Sequence, residues 1–188
     1  MRSLNANPNP KLKATPAEPF LPERRRLQDP LCRVALVEPC IPANTGNIAR
    51  TCVGTGSELH LIEPLGFELS EGRLKRAGLD YWNHLALDIH KSFDVWAACL
   101  RSEFDLGRVF FFETWGTTSL HDASFQRGDW LVFGKETTGL ERDQVESLIQ
   151  SPEQVLCLPM PGEVRSLNLS NAAAVSVFEL MRQVSAKK

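Results

Sequence analysis

Short apolar runs, each closed by a proline or a polar turn, alternate with stretches of helical period from Leu31 to the C-terminus. This alternation leaves few folds open. Segments 33–38 (RVALVE), 58–63 (ELHLIE), 85–89, 108–113 (RVFFFE), 130–133 and 155–158 read as strands. Segments 44–52, 70–77, 92–100 and 141–150 read as helices, and 168–184 as the last one. In that last segment Leu169, Ala172, Ala173, Val177 and Leu180 recur at helical spacing, the stripe of a helix lying on a core. Strands that alternate with helices specify an α/β fold, here a mainly parallel sheet of about six strands with flanking helices. The run Ala172-Ala173-Ala174 predicts close packing of the last helix against another backbone, and a dimer would supply one.

The first 30 residues are different in kind. They hold six of the twelve prolines, with Asn and Lys between them, and end near Arg24-Arg25-Arg26. Proline removes backbone donors and the stretch has little to bury, so 1–30 is expected to be a disordered tail and 31–188 a single domain. The overall charge of −2 divides into +3 for residues 1–30 and −5 for the rest. A nucleic-acid partner would therefore have to be drawn by local basic clusters rather than by the whole field. The chain has no apolar run long enough to span a membrane and no secretory signal, so it is expected in the cytoplasm. Five cysteines with no C-x-x-C pair fit reduced thiols, and four scattered histidines give no metal pattern, so no metal is expected.

Familiar nucleotide motifs are missing. Gly54-Thr55-Gly56 follows a helix rather than a first strand, which makes it a helix end and not a dinucleotide fingerprint. Gly134 and Gly139 have phosphate-loop spacing, but Leu140 and Glu141 stand where Lys and Ser or Thr are needed. The first strand runs into Pro39-Cys40-Ile41-Pro42, with no glycine-rich turn.

Three other segments carry polar chemistry at the ends of predicted elements. In 44–50 (NTGNIAR), Asn44 reads as a helix cap and Arg50 lies nearly two turns on. Taken alone, this is equally a capped helix with a surface arginine. In 130–140 (WLVFGKETTGL) an apolar strand enters a glycine-bounded loop that presents Glu136. A plain strand–helix connector accounts for that segment as well. In 158–172 (LPMPGEVRSLNLSNA) a Pro-rich loop leads to Ser166, Asn168, Ser170 and Asn171, more polar side chains than capping needs.

In this order, N-x-G-N-I-x-R, L-V-F-G-x-E-x-x-G-L and L-P-M-x(5)-S-L-N-L-S-N-A resemble the three motifs of the SpoU branch of the SPOUT methyltransferases. The resemblance runs from about Cys32 to Val184. Segments 38–42, 62–67 and 73–81 make the chain most similar, within that branch, to the compact enzymes of the tRNA wobble position. The resemblance implies a deep C-terminal trefoil knot, a homodimer and S-adenosyl-L-methionine as methyl donor. It implies donor contacts at Phe112, Thr114, Gly134, Leu158, Met160 and Ser166, largely through backbone. It assigns catalysis or substrate placement to Asn44, Arg50, Glu136, Ser166 and Asn168. Arg73, Lys75, Arg76 and Arg165, with Arg50, are the expected RNA contacts, although the first three read equally as a solvated helix face. The chain departs from the pattern in its tail, at Lys135 where proline is frequent, and at Glu113 and Trp115.

The implied reaction is 2'-O-methylation of a ribose in tRNA, at position 34. Arginine is too basic to serve as a general base, so Arg50 is expected to hold a phosphate and steer the hydroxyl. Methylation at another tRNA or rRNA position, and a catalytically silent cofactor- or RNA-binding module, are the competing readings.

Overall fold

The computed structural model describes residues 26–68 and 80–186. Seven strands, β1 (Arg33–Val37), β2 (Glu58–Ile62), β3 (Ala86–His90), β4 (Val109–Phe112), β5 (Thr118–Ser119), β6 (Trp130–Phe133) and β7 (Val155–Cys157), form one parallel sheet. Their order is β3-β2-β1-β6-β4-β7-β5. The helices are α1 (Pro42–Thr55), α2 (Phe93–Ala98), α3 (Arg101–Asp105), α4 (Arg142–Glu146) and α5 (Leu169–Ala186).

Both faces of the sheet are covered, and the period of two sorts each strand between two cores. Val34, Leu36, Leu59, Leu61, Phe110, Phe112, Leu131 and Phe133 join Ile48, Ala49 and Cys52 of α1 and Ala173, Val177 and Leu180 of α5. Ala35, Val37, Ile62, Val109, Phe111, Trp130 and Val132 join Phe93 and Trp96 of α2, Phe104 of α3 and Val145 of α4. The small residues of α5 thus already have a partner in α1 of the same chain.

Several boundaries differ from the sequence reading, each for a local reason. The first long helix begins at Pro42 with Ile41 as its N-cap and no side-chain cap, because proline is preorganised for the first helical position. Asn44 is therefore not a cap: it lies inside the first turn, buried. The seventh strand, β5, has two residues, too few to leave a pattern. The expected helix at 92–100 stops at Ala98, capped by Ser92, and a separate turn of helix, α3, follows. The expected helix at 70–77 lies outside the described residues. Residues 26–30, the last of the expected tail, are among the described residues. Leu27 donates its amide to Glu58 (2.7 Å) and Arg26 pairs with Asp88 (3.3 Å), so residues 26–30 lie on the edge of the sheet.

One crossing sets the architecture of the C-terminal half. β7 lies between β4 and β5, although those two strands are joined only by residues 113–117. The link passes directly over β7. A Cβ at Gly116 would stand 2.7 Å from the Val155 carbonyl oxygen, so only glycine fits there. A strand held beneath so short a link is the kind of threading that a knotted C-terminal half requires.

Candidate active site

In a parallel sheet all C-terminal strand ends share one edge, where ligands of open α/β folds bind. β6, β4 and β7 are neighbours, so the segments that follow them, 134–140, 113–117 and 158–168, leave the sheet side by side. The β1–α1 turn emerges on the other flank of β6.

The 134–140 segment is a tight turn, in which the Gly139 amide donates to the Lys135 carbonyl (2.8 Å). Gly134 makes it possible: a Cβ at that residue would stand 2.3 Å from the Gly139 carbonyl carbon. The turn projects Glu136 toward α1. Its carboxylate accepts the amides of Cys40 (2.7 Å) and Ile41 (3.1 Å) and the Asn44 side-chain Nδ2 (3.0 Å). Burial pushes the Glu136 carboxyl up, but these donors together hold it below its ordinary value. Since a carboxylate only accepts, Asn44 must turn its nitrogen to Glu136 and its oxygen away. That oxygen accepts Nδ2 of Asn168 (3.0 Å), and Asn168 in turn accepts the amide (2.9 Å) and hydroxyl (2.7 Å) of Ser170. Glu136, Asn44 and Asn168, one from each of the three polar segments, form one continuous chain of hydrogen bonds. A second tie runs from Lys135 Nζ to Glu38 (2.6 Å), which raises the lysine pKa.

The remaining expected residues fall into three groups. Gly134 is buried, and Leu158 and Met160 are half-buried at the mouth of β7, where a ligand could lie against them. Thr114, Arg165 and Ser166 are exposed at the same edge, and Arg50 is exposed on α1 six residues beyond Asn44. The Phe112 side chain is stacked on Phe133 in the core (4.6 Å between centroids), so only its backbone is left for a donor contact. Arg73, Lys75 and Arg76 lie outside the described residues.

Sequence reasoning missed two arrangements. Glu113, noted only as a departure, accepts the Leu140 amide at 2.6 Å and so joins two of the loops. The histidines are also not all scattered. Register places His60 beside Asp88, and His60 Nδ1 lies 3.1 Å from His90 Nε2. Those three are the potential metal-ligand cluster among the described residues, set on β2 and β3 away from the loops just described.

Residues 32–178, nearly the whole folded part, match the SpoU rRNA Methylase family. The chain belongs to the SpoU methylase family. Among curated relatives of this SpoU methylase is a Burkholderia pseudomallei protein named tRNA (cytidine(34)-2'-O)-methyltransferase. The two are 49% identical over 150 residues, 80% of this chain and 94% of the relative. A Saccharophagus degradans protein of the same name is 46% identical over 151 residues, 80% and 94% of the two chains. A solved structure described by the 2-OH methylation of C/U34 on tRNA superposes with a TM-score of 0.74 at 44% identity, covering 82% of this chain and 97% of its own. Streptomyces viridochromogenes AviRb, solved with AdoMet, shares the fold at 22% identity and a TM-score of 0.69, over 85% of this chain and 60% of its own. The Pro-rich N-terminal stretch of this SpoU methylase precedes the family match.

Proposed function

We propose that this chain is an S-adenosylmethionine-dependent 2'-O-methyltransferase of tRNA, acting on the ribose of nucleotide 34 as a cytoplasmic homodimer. The observation that carries the reading is the Glu136–Asn44–Asn168 chain, which gathers the three SpoU motifs at the ligand-binding edge of the sheet. The position on the tRNA is taken from the names of relatives 46–49% identical to the chain.

The residues at this edge fit the donor. Leu158 and Met160 offer half-buried apolar surface, residues 161–168 are exposed throughout, and Gly162 has open space around it. The donor would lie among the backbone of residues 112–116, 134–139 and 158–166. When bound, S-adenosylmethionine supplies an electrophilic methyl group on a positively charged sulfur. The protein's own task is to place a ribose hydroxyl in line with it, and much of the rate gain from such a site is positional.

Arginine as a residue type is too basic to act as a general base, so Arg50 binds the phosphate beside the target ribose and orients the 2'-hydroxyl, whose proton passes to that phosphate or to water. Glu136 is not the base. Its oxygens are committed to three donors and its pKa is depressed, so it fixes the start of α1 and, through Asn44, the loop that carries Ser166. Arg165 and the basic segment 73–76 take the flanking phosphates, since single-stranded loops are gripped by charge and stacking. The exposed apolar side chains Val164 and Leu167 on the third loop, with Val175 and Phe178 on α5, form the face that a second copy would cover.

The test is methyl transfer from labelled S-adenosylmethionine to total tRNA, followed by mapping of ribose methylation. Transfer confined to nucleotide 34, and lost in Arg50→Ala with donor binding intact, is the expected result. Methylation at another nucleotide would overturn the position, and absence of transfer would overturn the activity.

A further inference from the structure

Glu113 is the side chain at this edge that the three motifs leave unexplained. It caps β4, and its backbone amide donates to the Leu156 carbonyl of β7 (2.9 Å). Its carboxylate reaches the other way, to the Leu140 amide at the far end of the turn that follows β6 (2.6 Å), and the nearby Thr114 amide also favours its charge. Gly139 completes the fit. It has φ +71°, and a Cβ there would stand 2.5 Å from Glu113 Oε1, so the turn lies directly against the carboxylate. One residue therefore fastens together the ends of β4, β6 and β7. Burial pushes the Glu113 carboxyl up against the two amides, so the group sits where desolvation disfavours its charge.

We propose that Glu113 is a positioning residue for the methyl donor, holding 134–140 against 113–117 in the arrangement that receives it; this rests on the function proposed above. A loop that has to order when its ligand arrives subtracts that ordering from affinity. The Glu113 carboxylate orders the turn in the free protein, and its influence accordingly falls on donor binding rather than on the rate with donor saturating. What the position needs is an acceptor at the right reach. Glutamine supplies the same oxygen at the same distance, whereas aspartate is one methylene short of Leu140.

The experiment compares the wild type with Glu113→Gln, Glu113→Asp and Glu113→Ala. It measures S-adenosylmethionine binding by calorimetry, and KM for donor and kcat in transfer to tRNA. Loss of the hydrogen bond to the Leu140 amide predicts donor Kd and KM raised about tenfold in the Asp and Ala variants, with kcat within about threefold of wild type. The Gln variant is expected to match wild type in donor affinity. Should Glu113→Ala fail to fold, the Asp and Gln pair decides. Unchanged donor affinity in Glu113→Asp, or a loss confined to kcat, overturns the positioning role while leaving the proposed function standing. If wild-type protein does not bind S-adenosylmethionine at all, both fall together.

Discussion

A methyl group added at residue 134 and one added at residue 54 meet opposite surroundings. At Gly134 the new carbon would overlap the Gly139 carbonyl, and neither backbone can retreat because Leu140 is tied to Glu113. Gly134→Ala is thus expected to destabilise the fold by about 1–3 kcal/mol, as overpacking does, and to abolish donor binding. At Gly54, inside α1, nothing lies within 4 Å of the added carbon. There the substitution only removes freedom from the unfolded chain, so Gly54→Ala should raise stability by about 0.5–1 kcal/mol. Thermal unfolding of the two variants beside wild type checks both signs, and equal shifts would mean that the 134–140 turn is less constrained than its geometry implies. Asn44 shows how one residue type can mislead. Asparagine at a helix start normally caps, but Pro42 had already set the helix start, which released Asn44 to bridge Glu136 and Asn168.

At the scale of elements, β2 and β3 bring together what the sequence keeps apart. Glu58 and His60 line one face beside Asp88 and His90, with Arg33 closing on Glu58 (3.2 Å). Burial depresses the His60 pKa, and the neighbouring Glu58 and Asp88 only partly offset it. A histidine whose folded pKa lies below its unfolded value of about 6.5 contributes stability at neutral pH and loses it on acidification, because the unfolded chain takes up the proton first. Wild type should therefore lose melting temperature between about pH 7 and pH 5 more steeply than His60→Gln. Parallel curves would remove His60 as the cause. Glu58 is depressed too, its burial outweighed by the neighbouring His60 ring, the Leu27 amide and Arg33, so its contribution is lost at still lower pH, and His60→Gln, which lacks the His60 ring, loses less there. Such pairings mark the limit of sequence reading. β6 was legible from end to end, because four apolar residues stand between Asp129 and Gly134. The face of α5 was legible from its spacing alone, and the three motif loops did meet. What the sequence does not spell out is contact set by strand order. Glu113 and Leu140 are 27 residues apart, and His60 and His90 are 30 apart. Only the register of neighbouring strands makes them adjacent.

The whole molecule leaves one face unfinished. α5 buries Ala173, Val177 and Leu180 against the sheet and α1, yet its outer side shows Phe178 at 56% exposure and Val175 at 43%, one turn apart. Val164 and Leu167, on the loop that leads into this helix, are exposed as well, and Ile41 at the start of α1 is 44% exposed. Single apolar side chains on a surface mean little, but several together suit the contact that the proposed homodimer would need. A two-fold axis there would set α5 of each copy against the other, because the most frequent oligomer is a symmetric dimer with a self-complementary patch. It would also cover the loop from 161 to 168, whose residues are all exposed in the single chain although it carries Ser166. Donor site and dimer are coupled on this view, and a charge placed at the contact should break both. Phe178→Glu is expected to sediment as a monomer and to lose most methyl transfer to tRNA, with its far-UV circular dichroism unchanged. The matched control is Leu106→Glu. Leu106 is 73% exposed at the end of α3, in the opposite layer, so charge there should leave both assembly and transfer intact. A Phe178→Glu protein that stayed dimeric would place the contact elsewhere, and a monomer that kept full transfer would show that each chain carries a complete site.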